Sequence, residues 1–342
     1  MSEIKVIGLD LAKHKFHFVA CNQSYKIIKK RMLNRTEVLA YFQQLPRTRV
    51  VIEACGGAHY WARKIRALGF QVRLIPPQHV KPFVRGNKND YNDALAIAEA
   101  GDRDEMHFVS IKSIEQQDIQ AIHRMRTLRV KSRTALCNQP RGLLGEYGII
   151  LPQGVNILRS RLPEIIADED NGLSFEFRSL LRSNFDDLLS LDEKIKGYEV
   201  DIKRVIHDNE TCQRMQTIPG IGPITASALY GIMGNGSDYR RGRDLSAALG
   251  LVPRQHSSGG KDRLLGISKR GNSYVRTLLV HGARSVMRLC PSKTDPLSRW
   301  AINLAERQHQ NKVIVAIANK MARMAWAVVV NETDYKVVEV AK

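Results

Sequence analysis

The order of short apolar runs in the first 75 residues limits the possible folds more than any other feature of the chain. Ile4–Leu9 is an apolar run broken by Lys5, Lys15–Cys21 alternates polar and apolar side chains, and Lys26–Met32 repeats that pattern. Period-two alternation over such lengths predicts strands. Thr36–Gln44 then reads as a helix, Val50-Val51-Ile52 as a buried strand ending at Glu53, and Tyr60–Leu68 as a helix after the Gly56-Gly57 break. Phe70–Ile75 is a further strand, stopped by Pro76-Pro77. Three strands in succession, then helix–strand–helix–strand, predict an α/β domain on a mixed sheet whose first strands form a meander.

The rest of the chain reads as mainly helical. Ile114–Leu144 is a basic helix carrying Arg124, Arg126, Arg129, Lys131, Arg133 and Arg141. Ser174–Asp208 is a second long helix with apolar residues at near-heptad spacing, among them Leu181, Phe185, Leu188, Ile195, Ile202 and Val205. That spacing suits an antiparallel hairpin or coiled-coil arm, and suits equally well an amphipathic helix packed on its own domain. Further on, Ile218-Pro-Gly-Ile-Gly-Pro223 predicts a turn leading into a helix, Ser257-Ser258-Gly259-Gly260 a flexible loop, Tyr274–Leu289 a helix, and Ile302–Val330 one long closing helix. A chain of 342 residues exceeds one ordinary domain. The expected division is 1–110, 111–210 for the helical linker and arm, and 211–335.

Charge narrows the partner. The formal charge is +19, with 43% hydrophobic residues, so the chain has enough apolar matter for real cores and favours a polyanion. The apolar stretch Val313–Val330 is interrupted by Lys320 and Arg323, which argues against a membrane span. The N-terminus lacks an apolar signal segment, and the five scattered cysteines form no CxxC pair. These features lead to the expectation of a protein of the reducing bacterial or archaeal cytoplasm, associated with the nucleoid, whose partner is nucleic acid rather than membrane. Between Tyr239 and Arg288 eleven cations stand against only Asp244 and Asp262. A solvated face would mix signs, so this stretch reads as a phosphate-binding face formed by Arg240, Arg241, Arg243, Arg254, Lys261, Arg263, Lys269, Arg270 and Arg276.

Four acids stand out in the first domain. Asp10 and Glu53 each end a strand, and Asp90 and Asp93 sit three residues apart where a helix begins. Strand ends converge at one edge of a sheet, and a three-residue step keeps both helical carboxylates on one side. Alone, each acid has an ordinary explanation: an N-cap, a first-turn acid or a strand-end surface residue. Together they form a set of hard oxygen ligands suited to Mg²⁺ or Mn²⁺. Pro219-Gly-Ile-Gly222 resembles a helix-hairpin-helix turn able to offer backbone N–H groups to a phosphate, and serves equally as a packing turn. Ser257 and Ser258 lie among His256, Lys261 and Arg263, where cations would stabilise an alkoxide attacking phosphorus.

The motifs Ile7-Gly-Leu-Asp10, Val51-Ile-Glu53-Ala-Cys-Gly56, Lys88-Asn-Asp90-Tyr-Asn-Asp93-Ala94, Ile218-Pro-Gly-Ile-Gly-Pro223, Leu249-Gly-Leu-Val-Pro253 and Ser257-Ser-Gly-Gly-Lys261, running into Gly266-Ile-Ser-Lys-Arg-Gly271, occur in this order across nearly the whole chain. In this the chain resembles the DEDD-type insertion-sequence transposases, namely insertion-sequence family one-ten with its eleven-eleven subgroup and the Piv-type DNA invertases. The resemblance implies an RNase H-like (RuvC-like) N-terminal domain, a helical coiled-coil arm and a mainly α C-terminal transposase domain. It implies that Asp10, Glu53, Asp90 and Asp93 are the metal-binding tetrad and that Ser258, directly before the glycine, is the nucleophile. The Ser257-Ser258 doublet leaves that assignment open by one position. It further implies donor and target DNA as substrates, a structured non-coding bridge RNA as guide, and a homo-oligomer, dimer or tetramer, in which one subunit's acids face another's serine. Two rivals share parts of this pattern. One is a hydrolytic RuvC-like nuclease, such as a junction resolvase, with water as nucleophile; the other is a nucleic-acid-binding protein without catalysis. A basic RNA chaperone would explain the charge but neither the acids nor the serines.

Overall fold

The computed structural model describes residues 3–87 and 89–336. Lys88, part of the motif that carries Asp90 and Asp93, lies outside the described residues. The chain divides into two compact units, 1–113 and 114–342.

Unit one contains β1 (Val6–Leu11), β2 (Lys15–Cys21), β3 (Ile27–Asn34), α1 (Val38–Gln43), β4 (Arg49–Glu53), α2 (Ala58–Ala67), β5 (Gln71–Ile75), the single-turn α3 (Pro77–Val80) and α4 (Asp90–Gly101). The strands form one mixed sheet in the order β3-β2-β1-β4-β5. Antiparallel β1–β2 and β2–β3 pairs make the expected meander, and β4 and β5 continue in parallel from β1. Alternation divides the side chains between two cores. Ile7, Leu9, Phe16, Phe18, Val50 and Ile52 pack towards α1 and α2. Val6, Val19, Cys21, Val51 and Ile75 face α4.

The approach of α4 to the sheet is unusually close, and Gly8 allows it. A Cβ at Gly8 would lie 1.9 Å from the Ala94 carbonyl oxygen, and one at Gly101 would lie 2.1 Å from Val51 Cγ1. Alanines at 94, 96, 98 and 100 keep the helix itself narrow. At its far end, Asp102 is buried and accepts hydrogen bonds from Tyr25 Oη (2.7 Å) and Lys5 Nζ (2.7 Å) and also pairs with Arg49. Burial alone would raise the Asp102 pKa, but these partners hold it below the ordinary value. The helix is therefore fastened to the starts of β1 and β4, and its N-terminus lies over the strand ends.

Unit two contains α5 (Ile114–Gly145), α6 (Val155–Ala167), α7 (Phe175–His207), α8 (Glu210–Gln216), α9 (Pro223–Met233), α10 (Gly242–Ala248), β6 (Pro253–Gln255), β7 (Leu264–Ile267), α11 (Ser273–Leu289), α12 (Pro296–Ala305) and α13 (Gln310–Val330). α5 and α7 pack antiparallel, with Arg126 paired to Glu199, Arg133 to Asp192 and Gln139 to Asn184. α13 is long and apolar enough by length and composition to cross a membrane, but half of its most apolar stretch is buried. It packs against α8, α10, α11 and α12 as a core helix. The single helix expected over Ile302–Val330 is two: α12 ends at Ala305, and His309 Nδ1 accepts from the Asn311 N–H to cap the start of α13. The expected turn at Ile218–Gly222 does join two helices, α8 and α9. Gly220, at φ +85°, sits against α11: a Cβ there would lie 2.9 Å from Gly282 O.

Gly8→Ala is expected to destabilise unit one by about 1–3 kcal/mol, because the new methyl must displace helix backbone rather than a side chain. Chemical denaturation followed by circular dichroism measures it; an unchanged midpoint would mean α4 does not seat on β1 as described.

Candidate active-site residues

The pleat places Asp10 on the sheet face that α4 covers, two residues beyond Gly8. His17 on β2 is its antiparallel partner, and Glu53 at the end of β4 follows Val51 on the same face. α4 supplies Asp90 and Asp93 from its first turn, above these strand ends. Its N-cap is Asn89, whose side chain accepts from the Tyr91 N–H at 2.9 Å, so Asp90 is free of the capping role.

Two of the four sequence-identified acids, Asp10 and Glu53, feel the charge of their acidic neighbours. Burial pushes the Asp10 carboxyl above the ordinary carboxylate range, and the charges of Asp93 and Asp90 push it further, partly opposed by His17. Burial likewise raises Glu53, with added repulsion from Asp10 and Asp93. Oxygens of Asp10 and Asp90 and a ring nitrogen of His17 lie within 4.8 Å of one another. Sequence does not single out His17. Its signal is the β1–β2 register, which sets it directly across from Asp10. Its Nδ1 lies 3.5 Å from Asp90 Oδ2 yet completes no hydrogen bond, although it is buried. Its ring meets Tyr91 edge to face at 4.9 Å. Repelling carboxylates beside an unpartnered buried nitrogen make a donor set that fits a divalent cation.

In unit two, Ser257 and Ser258 are at the tip of a hairpin rather than in a flexible loop. β6 and β7 pair antiparallel, His256 N donates to Arg263 O at 2.9 Å, and Lys261 N donates to Ser258 O at 3.1 Å. Gly259 (φ +57°) and Gly260 (φ +75°) occupy the two central positions with positive φ, the requirement of a two-residue type I′ turn. Alternation then gives the two serines different surroundings. Ser257 Oγ accepts from Gln255 Nε2 (3.0 Å) and from the Arg263 N–H (3.3 Å), and Gln255 Nε2 also reaches Asp262 (3.3 Å). Ser258 is on the opposite face, the one shared by His256, its cross-strand neighbour Lys261, and Arg263. Its hydroxyl has no hydrogen-bond partner among the described residues.

Of the other cations identified by sequence, Arg276 is committed to structure, donating to Leu249 O (2.9 Å) and Arg270 O (3.0 Å). Arg240, Arg241, Arg243, Arg254, Lys269 and Arg270 are exposed.

Because ionising Asp10 and Glu53 opposes folding, their contribution is favourable below the ordinary carboxylate pKa and is lost as pH rises through the raised values. Without added metal, Asp93→Asn is therefore expected to melt a few degrees above the parent chain near pH 7, the gap closing as pH falls towards 4. Millimolar Mg²⁺ should raise the parent's midpoint and not the variant's. Thermal scans in chelator and in Mg²⁺ decide; a gap that persists at low pH would assign the effect to something other than charge.

Comparison with known proteins gives the chain's family. A family model described as "Transposase IS116/IS110/IS902 family" matches residues 212–297, and a DEDD transposase model of the IS110 type matches residues 7–149. The chain is 46% identical over 336 residues to a Coxiella burnetii protein described as "Transposase for insertion sequence element IS1111A", covering 98% of this chain and 92% of the relative. It is 47% identical to a "Probable family 20 transposase" of Pseudomonas aeruginosa, over 96% of this chain and 98% of the relative. A more distant likeness, 23% over 94% of this chain and 95% of the relative, is to the "Pilin gene-inverting protein" of Moraxella lacunata. Such identity over nearly the whole length shows that the chain belongs to the IS110/IS116/IS902 family of insertion-sequence transposases.

Proposed function

We propose that this transposase exchanges DNA strands by transesterification through Ser258, with Asp10, Glu53, Asp90 and Asp93, joined by His17, holding Mg²⁺ or Mn²⁺ in an RNase H-like unit. The observation that carries the reading is the gathering of four acids from three distant segments near the strand ends, where Asp90 and Asp93 oppose ionisation of Asp10, and Asp10 and Asp93 oppose that of Glu53. Bound there, the cation would neutralise charge on the scissile phosphate and on the departing oxygen.

The chain's own residues account for the remaining steps. The exposed Ser258 hydroxyl gives its proton to solvent and its oxygen bonds to phosphorus, while the phosphorus bond to one DNA oxygen breaks and that oxygen takes a proton from solvent. Lys261 and Arg263, on the same face of the hairpin, hold the non-bridging oxygens and stabilise the charge that develops on them. A second DNA hydroxyl then attacks the phosphoserine, releasing the serine oxygen, which regains a proton. One ester replaces another at each step, so no external energy source is required. Ser257 orients the hairpin through Gln255 and the Arg263 amide and takes no part in bond exchange.

The reading includes a structured bridge RNA that pairs with donor and target DNA, and a homo-oligomer in which the acids and the serine serve one phosphodiester. Exposed Arg240, Arg241, Arg243, Arg254, Lys269 and Arg270 support a polyanionic partner of this size. Its supports for those parts are the family resemblance and the charge.

A denaturing gel of the protein with labelled DNA tests the chemistry. The parent chain and Ser257→Ala should yield a protein–DNA adduct, and Ser258→Ala should yield none while still binding nucleic acid. Cut ends without an adduct from the parent chain would replace the serine with water as nucleophile.

A further inference from the structure

Unit two holds a basic cavity that the strand-exchange chemistry does not use. It has a volume of about 540 Å³ and lies between α10 and α13. Its lining combines two kinds of group: the cations Arg241, Arg243, Lys320 and Arg323, and the apolar surfaces of Met324, Trp326 and Ala327. The backbones come this close because residue 242 is glycine; a Cβ there would lie 3.0 Å from Arg323 O.

Two features suit this cavity to an anionic ligand with an aromatic face. First, among the described residues none of the four cations is in an ion pair. The nearest acid in sequence, Asp244, accepts from the Arg241 backbone N–H at 3.1 Å. Lys320 is held 4.3 Å over the Trp300 ring, and burial together with Arg323 lowers its pKa, as expected of positive charge left uncompensated. Second, the indole of Trp326 is locked. Its Nε1–H donates to Tyr239 O at 2.9 Å and to Gly236 O at 3.2 Å, so the ring is fixed before any ligand arrives.

We propose that this cavity receives one unpaired nucleotide of a single strand, its phosphate held by the cations and its base laid against Met324 and Trp326. Cations without counter-charge call for a polyanion, and a preset aromatic wall offers a face to any base, the combination that single-strand sites use. A base inside a duplex has no free face to offer, so the site discriminates single strands from double strands. The volume falls within the roughly 300–1,000 Å³ of small-ligand sites. The inference deepens the nucleic-acid reading of this chain and does not depend on Ser258 or the acids.

The test is fluorescence anisotropy of the full chain in chelator, with labelled single-stranded DNA, single-stranded RNA and duplex DNA of equal length. Lys320→Gln with Arg323→Gln should weaken single-strand binding about tenfold or more, and lower its salt slope by about 0.7 for each phosphate that is no longer neutralised. Ala327→Trp, which fills the cavity without changing charge, should weaken single-strand binding and leave duplex binding within about threefold. Whichever of the DNA and RNA arms shows the larger loss identifies the strand. Equal losses for single strand and duplex, or none, would overturn the pocket. Because Ser258 is intact and no cleavage is read, that result would stand apart from failure of the adduct test.

Discussion

Contact between α4 and β1 is the constraint on which the acidic site depends. A helix seated at ordinary distance from the sheet would carry Asp90 and Asp93 away from Asp10 and Glu53. The missing side chain at Gly8 and the alanines facing it bring the helix down, and the Asp102 cluster with Lys5, Tyr25 and Arg49 fixes the other end. Packing and paired charge at one end of α4 thus offset the repulsion between unpaired carboxylates at the other. Stability is spent away from the site so that strain can be kept within it.

Unit two solves a different problem in a similar way. Ser258 is exposed, so no surrounding core can orient it; the backbone must. Two glycines at positive φ close the turn, and Ser257, Gln255 and Asp262 brace the face opposite Ser258. Deeper in the unit, His123 links three helices, its Nε2 meeting Ser227 Oγ and its Nδ1 meeting Tyr274 Oη, both at 2.9 Å. Ser227 Oγ donates to Pro223 O, so it accepts from Nε2–H, and Tyr274 donates to Nδ1. Burial lowers the His123 pKa to about 4, which keeps the ring neutral and this network intact at physiological pH.

What is legible in the sequence follows from the range of each interaction. Strand and helix positions depend on alternation within a few residues, so β2 falls on Lys15–Cys21 and α7 on the stretch after Ser174. The acids are visible because each lies at or near a terminus of an element, Asp10 and Glu53 at strand ends and Asp90 and Asp93 in the first turn of a helix. His17 is not, because its meaning depends on pairing with Asp10 across a turn, and an alternating strand does not state its register. Gly8 is visible as part of a motif, while its reason, the Ala94 carbonyl, lies in a distant helix. The break before α13 escapes a sequence reading because residues 306–309 are good helix formers by composition, and a capping histidine is a weak local signal. The glycine pair after Ser258 reads as freedom when, between two pairing strands, it is the device that removes freedom.

The distribution of charge connects the two units. Four carboxylates without a cation would repel a phosphodiester, so in the proposed reading the bound divalent ion and basic side chains elsewhere on the protein both act against that repulsion. In this chain Tyr239–Arg288 carries eleven cations against two acids, and Lys320 and Arg323 stand on α13. Generic attraction of that kind would hold a strand in any register. In the proposed reading, the rigid aromatic wall and the hairpin with its cations on one face add what charge alone lacks, a fixed position for one nucleotide and for one phosphate. On this view the excess of +19 sets how tightly nucleic acid is held, and two small pieces of inflexible geometry set where.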